Sequence, residues 1–191
     1  MAMYVKTRRW TRREYERLID LGVFQPDERL ELIGGELTVR EPQGGPHSLA
    51  MELSGDALRS AFGQRWRVRV QLPVALDEES EPEPDFSVVA GTAREAIEPI
   101  PSRPALIVEI ADRSLRFDRE HKGSLYARSQ VLDYWIVNLV SRVLEVYREP
   151  RLAPQAPYGW RYSEVQTLGR DASITPLAVP SVRIAVADLM T

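Results

Sequence analysis

The segment Ala105-Leu106-Ile107-Val108-Glu109-Ile110 limits the choice of fold more than any other stretch of the chain. Its nearly continuous apolar run is that of a strand covered on both faces, which requires packed layers on each side of the sheet. An α/β protein with this strand at its centre is expected. Alternation puts Ile107, Glu109 and Ala111 on one face and Leu106, Val108 and Ile110 on the other. Glu109 is out of place in such a run, because a carboxylate buried without a partner costs several kcal/mol. It requires a cation, either in an internal ion pair or at the wall of a cleft.

The flanking elements follow from local signals. Thr11 with Glu14 three residues on forms a capping box ahead of Tyr15, Leu18 and Ile19, so a first helix runs from there to about Gly22. Leu30 to Ile33 and Glu36 to Val39 flank Gly34-Gly35, the pattern of a hairpin with a two-residue turn. After a loop from Pro42 to Pro46, Leu49, Leu53, Ala57, Leu58 and Phe62 recur at helical spacing, and Gly63 closes that helix. Trp66 to Leu72 and Asp85 to Val89 read as strands, separated by an acidic loop broken by prolines. A Pro-rich connection, Pro99 to Pro104, precedes the central strand. Arg116 to Ser129 forms a third helix, and Tyr134 to Val137 with Val143 to Tyr147 form a second hairpin. Beyond Pro150, strand-like pieces occur at Trp160 to Val165 and Val182 to Val186. With 191 residues and no long linker or internal repeat, one domain is expected, with its core at about residues 11–149 and a strand-rich C-terminal extension.

Composition narrows the chemistry. The chain has no cysteine and only two histidines, His47 and His121, which excludes thiol nucleophiles, zinc fingers and iron-sulfur clusters. Any metal must therefore be held by carboxylates. No apolar run approaches the ~20 residues that span a bilayer, and the basic N-terminus lacks the apolar stretch of a secretory signal. No membrane contact is expected, and a cytoplasmic location is. The net charge of −3 argues against a protein whose whole surface attracts phosphate. Charge is nonetheless segregated. Lys6, Arg8, Arg9, Arg12, Arg13 and Arg17 crowd the N-terminal region, Arg59, Arg65, Arg67 and Arg69 follow, and Asp77 to Asp85 holds six acids and no base. Solvated faces and a phosphate-facing patch both account for this pattern.

Two further residues stand beside Glu109. Asp85 opens an apolar strand directly after Pro84, which fixes the approach and withholds a backbone donor. It reads either as a turn acid or as the partner of Glu109. Two carboxylates at equivalent places on adjacent strands can converge on a hard divalent cation such as Mg²⁺, or Mn²⁺ in its place. Lys122 shares a helical stripe with Asp118 and Tyr126. It is either half of a surface ion pair worth ~0.3 kcal/mol or an ammonium that stabilises a developing phosphate charge. Glu36, just after the glycine turn, and His47, at the start of the second helix, are weaker candidates.

Pro84-Asp85, then Glu109 in an apolar strand, then Lys122 on the next helix resembles the PD-(D/E)xK nuclease superfamily. More narrowly, Glu31-Leu32-Ile33-Gly34-Gly35-Glu36-Leu37, Glu83-Pro84-Asp85-Phe86, Val108-Glu109-Ile110-Ala111-Asp112, and Lys122 through Leu125-Tyr126-Ala127 to Asp133-Tyr134-Trp135-Ile136-Val137 are similar to the Uma family of bacterial endonucleases. The likeness spans about Thr11 to Tyr147. It implies a restriction-endonuclease-like mixed central sheet flanked by helices and Mg²⁺-dependent hydrolysis of DNA. It also implies that Asp85 and Glu109 ligate the metal, that Lys122 meets the phosphate or the water, and that Glu36 adds a further carboxylate. The sequence departs from the superfamily pattern at Ala111, where the lysine usually stands; Lys122 takes that place here.

Three functions fit these residues. They are a metal-dependent DNA endonuclease, a non-catalytic nucleic-acid-binding or regulatory module on the same scaffold, and a hydrolase of a small phosphorylated molecule. A homodimer would suit cleavage of both strands of a duplex.

Overall fold

The structure, a computed structural model, describes residues 7–25, 28–40, 44–92 and 100–190. Lys6, the first part of the Pro42 to Pro46 loop and Pro99 lie outside the described residues. The chain opens with α1 (Arg12–Asp20), whose capping box forms as expected. Thr11 Oγ1 accepts from the Glu14 N–H at 3.3 Å, and Glu14 Oε2 accepts from the Thr11 N–H at 3.0 Å. The hairpin β1 (Leu30–Ile33) and β2 (Glu36–Val39) turns through Gly34 and Gly35 at φ +56° and +82°. A two-residue turn of this hand needs both values positive, which explains the glycine pair. The turn is also tightly docked. Gly34 N donates to Ser80 Oγ at 3.1 Å and Gly35 N to Glu79 O at 2.7 Å, and a Cβ on Gly34 would run into the Tyr158 ring.

Helix α2 (Gly45–Phe62) precedes β3 (Trp66–Val70), β4 (Phe86–Ala90) and β5 (Leu106–Ala111). A helical segment then follows as α3 (Leu115–Phe117), a π-helical turn (Asp118–Lys122) and α4 (Gly123–Arg128). It leads to β6 (Asp133–Asn138), β7 (Val143–Leu152), β8 (Trp160–Leu168), and the two-residue strands β9 (Ser173–Ile174) and β10 (Ile184–Ala185). Six strands form one mixed sheet in the order β3-β4-β5-β6-β7-β8, parallel only between β5 and β6. The central place expected for Leu106–Ala111 holds, because every residue of β5 and of its neighbour β6 is buried.

The two faces of β5 reach different cores, as its alternation requires. Leu106, Val108 and Ile110 pack with Leu58 and Phe62 of α2 and with Trp135, Val137 and Leu144. Ile107 and Ala111 pack with Tyr126, Ala127, Tyr134 and Tyr162 on the α4 side. Each such aliphatic side chain contributes about 1.5–3 kcal/mol on full burial.

The residues after 149 are more than an appendage. Strand β7 continues through Pro150 to Leu152, because β6 ends its pairing at Asp133 with Arg148 and only β8 remains alongside. With one neighbour missing, the absent proline N–H leaves no ladder bond broken. Further on, Ile174, Ile184, Val186, Leu189 and Met190 close the core over α2.

Candidate active site

The antiparallel register Phe86 with Val108 carries on to set Asp85 opposite Glu109, so both carboxylates stand on the α4 face of the sheet. Backbone bonds lock the pair. Asp85 N donates to Glu109 Oε2 at 3.3 Å, and Ile110 N donates to Asp85 Oδ2 at 2.9 Å. Pro84 just before Asp85 stiffens this entry. Both acids are buried, each 3% exposed.

Cations arrive from three other elements. Lys122, on the π turn, donates from Nζ to Glu109 Oε1 at 3.0 Å and lies 3.3 Å from Glu31 Oε1 on β1. Tyr126 Oη donates to the same Glu109 oxygen at 2.7 Å. Arg40, just past β2, and His47, in the first turn of α2, take the other acid. Arg40 Nη2 stands 3.3 Å from Asp85 Oδ1, and His47 Nε2 stands 3.2 Å from Asp85 Oδ2. Gln71 Nε2 adds a bond of 3.2 Å to Asp85 Oδ1.

The stripe Asp118, Lys122, Tyr126 therefore faces inward rather than forming a surface ion pair. All three are buried, and the wide turn closes with Gly123 N bonded to Asp118 O. A π turn adds a residue to the helix and is a frequent mark of functional sites.

These groups border a cavity of about 780 Å³ whose walls include Glu31, Arg40, His47, Asp85, Glu109, Asp118 and Lys122. A smaller hollow of about 440 Å³ meets it at Arg40 but holds none of the Asp85, Glu109 and Lys122 triad.

Burial and charge compete here. Burial pushes the Glu109 carboxyl up to about 7 although Lys122 opposes it, with Asp118, Asp85 and Glu31 adding repulsion. Asp118 rises to about 6, again by burial against the pull of Lys122. Burial works against the charge of Lys122, but Glu109, Glu31 and Asp118 outweigh it and raise the ammonium above its usual range. Asp85 is held below its usual value, because bonds from His47, Ile110 N and Gln71 outweigh its burial. The pair is thus asymmetric, with Asp85 a committed anion and Glu109 poised near neutrality.

Asp85, Glu109 and Lys122 are brought together. Glu36 is not. It shares a hairpin face with Glu31 and Thr38 but sits at the turn end, exposed and outside the cavity, where Tyr158 feels its charge. The register gives the inner place to Glu31, opposite Thr38, with Oε2 accepting from Glu83 N at 3.0 Å. Sequence reasoning missed Glu31, Arg40 and Tyr126. Glu31 carried the same signal as Glu109, an acid inside an apolar strand, in Leu30-Glu31-Leu32-Ile33. A second signal was also readable. Of 25 basic residues only Lys6 and Lys122 are lysines, so an arginine-rich chain retains lysine at the site.

The donor set suits a hard divalent cation. Two carboxylates face each other, Asp118 Oδ2 is buried with no hydrogen-bond partner among the described residues, and no thiolate is present. Among the described residues no three His, Asp or Glu side chains form a ready-made cage. Water and phosphate oxygens would complete the shell, as is usual for Mg²⁺.

A profile of the Uma2 family, described as "Putative restriction endonuclease", matches residues 12–187. The chain belongs to the Uma2 family. The match extends past Tyr147 through β8, β9 and β10, in keeping with their place in the sheet and core. Among solved structures, the crystal structure of a putative nuclease belonging to DUF820 from Anabaena variabilis ATCC 29413 is similar at 17% sequence identity. That likeness has a TM-score of 0.64 and covers 89% of this chain and 94% of the other. It bears out the restriction-endonuclease-like sheet flanked by helices. No curated protein matches the sequence. Among the described residues no helix is long and apolar enough to cross a membrane.

Proposed function

We propose that this Uma2 member is a Mg²⁺-dependent endonuclease that hydrolyses DNA phosphodiester bonds, with Mn²⁺ able to replace Mg²⁺. The observation that carries the reading is the convergence of Asp85, Glu109 and Lys122, with Lys122 Nζ 3.0 Å from Glu109 Oε1, at the wall of one cavity. Asp85 and Glu109 would hold the cation. When bound, Mg²⁺ lowers the pKa of water and neutralises phosphate charge.

The chain's own groups do the rest. Asp85, kept ionised by His47 and Gln71, supplies the permanent negative charge. Glu109 keeps Oε1 fixed by Lys122 and Tyr126, which leaves Oε2, bonded by Asp85 N at 3.3 Å, as the oxygen that would meet the cation. Lys122 holds its ammonium beside Glu109, where it can stabilise charge developing on a phosphate oxygen. Arg40, donating from Nη2 to Asp85 at the cavity wall, would bind a phosphate oxygen of the DNA backbone.

The test is cleavage of labelled single- and double-stranded oligonucleotides with Mg²⁺, Mn²⁺ or EDTA. Asp85→Asn and Glu109→Gln should each abolish metal-dependent cleavage while leaving a folded protein by circular dichroism. Cleavage that persists in either variant, or in EDTA, would refute the assignment. DNA binding without cleavage in any metal would point to the regulatory module instead.

A further inference from the structure

The π turn that carries Lys122 is tied down at a second point, away from the cavity. Arg119, three residues before Lys122, grips Glu145 on β7 with two bonds, Nε to Oε2 at 2.9 Å and Nη2 to Oε1 at 2.5 Å. Glu145 accepts two more, from Asn138 Nδ2 at 2.6 Å and Tyr147 Oη at 2.6 Å. This carboxylate is 4% exposed. These four donors hold it below its usual pKa despite burial.

Sheet register explains why this matters for the site. Glu109 pairs with Ile136, and Ile136 with Glu145, so Glu109 and Glu145 lie in one row on one face, two strands apart. At ~4.8 Å per strand that separation is about 10 Å. The π turn bridges the row, with Lys122 reaching Glu109 at one end and Arg119 reaching Glu145 at the other. Tyr134 Oη adds a bond to Asp118 O at 3.1 Å from below. Relaxing a π turn to α geometry shifts the helical register by one residue and turns the preceding chain by about 100°. Asp118 and Arg119 would then turn relative to Lys122, so Arg119 meets Glu145 while Lys122 meets Glu109 only in the π register.

We propose that Arg119 and Glu145 are positioning residues whose ion pair holds the π turn in register, so that the Lys122 ammonium stays on Glu109. Its consequence for catalysis rests on the nuclease reading, but the positioning itself does not.

The experiment uses the full chain and its two lysines. Acetylation by an N-hydroxysuccinimide ester is followed by peptide mass at Lys122, with Lys6 as the internal reference, in wild type, Arg119→Ala, Arg119→Lys and Glu145→Gln. Ile174→Ala, a core change on the opposite face of the sheet, controls for lost stability. Arg119→Ala and Glu145→Gln should raise Lys122 labelling about tenfold, with Arg119→Lys between them and wild type. Lys6 should not change. On DNA, kcat should fall about 10- to 100-fold with KM nearly constant. Unchanged Lys122 labelling in Arg119→Ala, or an equal rise in Ile174→Ala, overturns the proposal. If wild type cuts no DNA the nuclease reading fails, while the labelling still decides the positioning.

Discussion

Replacing Lys122 with methionine tests the electrostatics of the site most directly. The methionine keeps the length and apolar body of the side chain but removes the ammonium that lies 3.0 Å from Glu109 and 3.3 Å from Glu31. Both carboxylates are nearly solvent-free, and removing one partner of a buried ion pair costs about 3–5 kcal/mol. At about 2–4 °C per kcal/mol for a chain of this size, Tm should drop by about 6–20 °C.

The pH dependence is more telling than the size of the loss. Burial holds the Glu109 carboxyl up at about 7 in the folded protein, above the usual carboxylate range, so the folded state binds the extra proton. Stability contributed by that proton is present below the unfolded value and is lost as pH rises toward the folded one. Without Lys122 the folded value climbs further, and each added pH unit of that window costs about 1.4 kcal/mol. The gap between wild type and Lys122→Met should therefore be wider at pH 8.5 than at pH 5.5, by on the order of 1 kcal/mol. Urea unfolding in EDTA, followed by tryptophan fluorescence at the two pH values, measures it. An equal gap at both, or a loss below about 1 kcal/mol at pH 8.5, would show that the ammonium does not neutralise these acids.

Three other changes probe the fold and the site. Gly34→Ala forces a side chain onto φ +56° and into the Tyr158 ring, so it should cost about 1–3 kcal/mol in urea unfolding, part of it recovered in the double variant with Tyr158→Ala. Arg148→Met strips Asp133, which is 0% exposed, of the guanidinium at 2.8 Å and should lower stability by about 3–5 kcal/mol, measured by thermal unfolding. Glu31→Gln should reduce cleavage of DNA by about tenfold or more through its contact with Lys122, whereas exposed Glu36→Gln should leave both cleavage and Tm unchanged; the reverse order in a cleavage assay would restore Glu36 to the site.

Local signals in the chain were enough to read the main strands, the capping box, the glycine hairpin and a helical segment at Arg116 to Ser129, though not its π turn, because periodicity, caps and turns act over a few residues. They were also enough to flag Asp85, Glu109 and Lys122. Polar groups in apolar runs need partners wherever the chain goes, and the family likeness named the same positions. Two misreadings came from the same limit. Pro150 looked like a strand end because its cost depends on whether a neighbouring strand is present, and β6 stops short of it. Glu36 was named and Glu31 was not, although both lie on one hairpin, because the place of each follows only from docking of that hairpin against Glu79, Ser80 and Tyr158.

What this sequence determines by itself is which groups cannot be left alone: an acid in a buried strand, an acid after a proline, and one of two lysines on a helix. Tertiary structure alone decides who satisfies them. Arg40 and His47 reach Asp85 from a hairpin and a helix more than 35 residues away in sequence, and Lys122 is shared between Glu109 and Glu31. Desolvation and Coulomb energy depend on distance in space, which no local pattern of residues encodes.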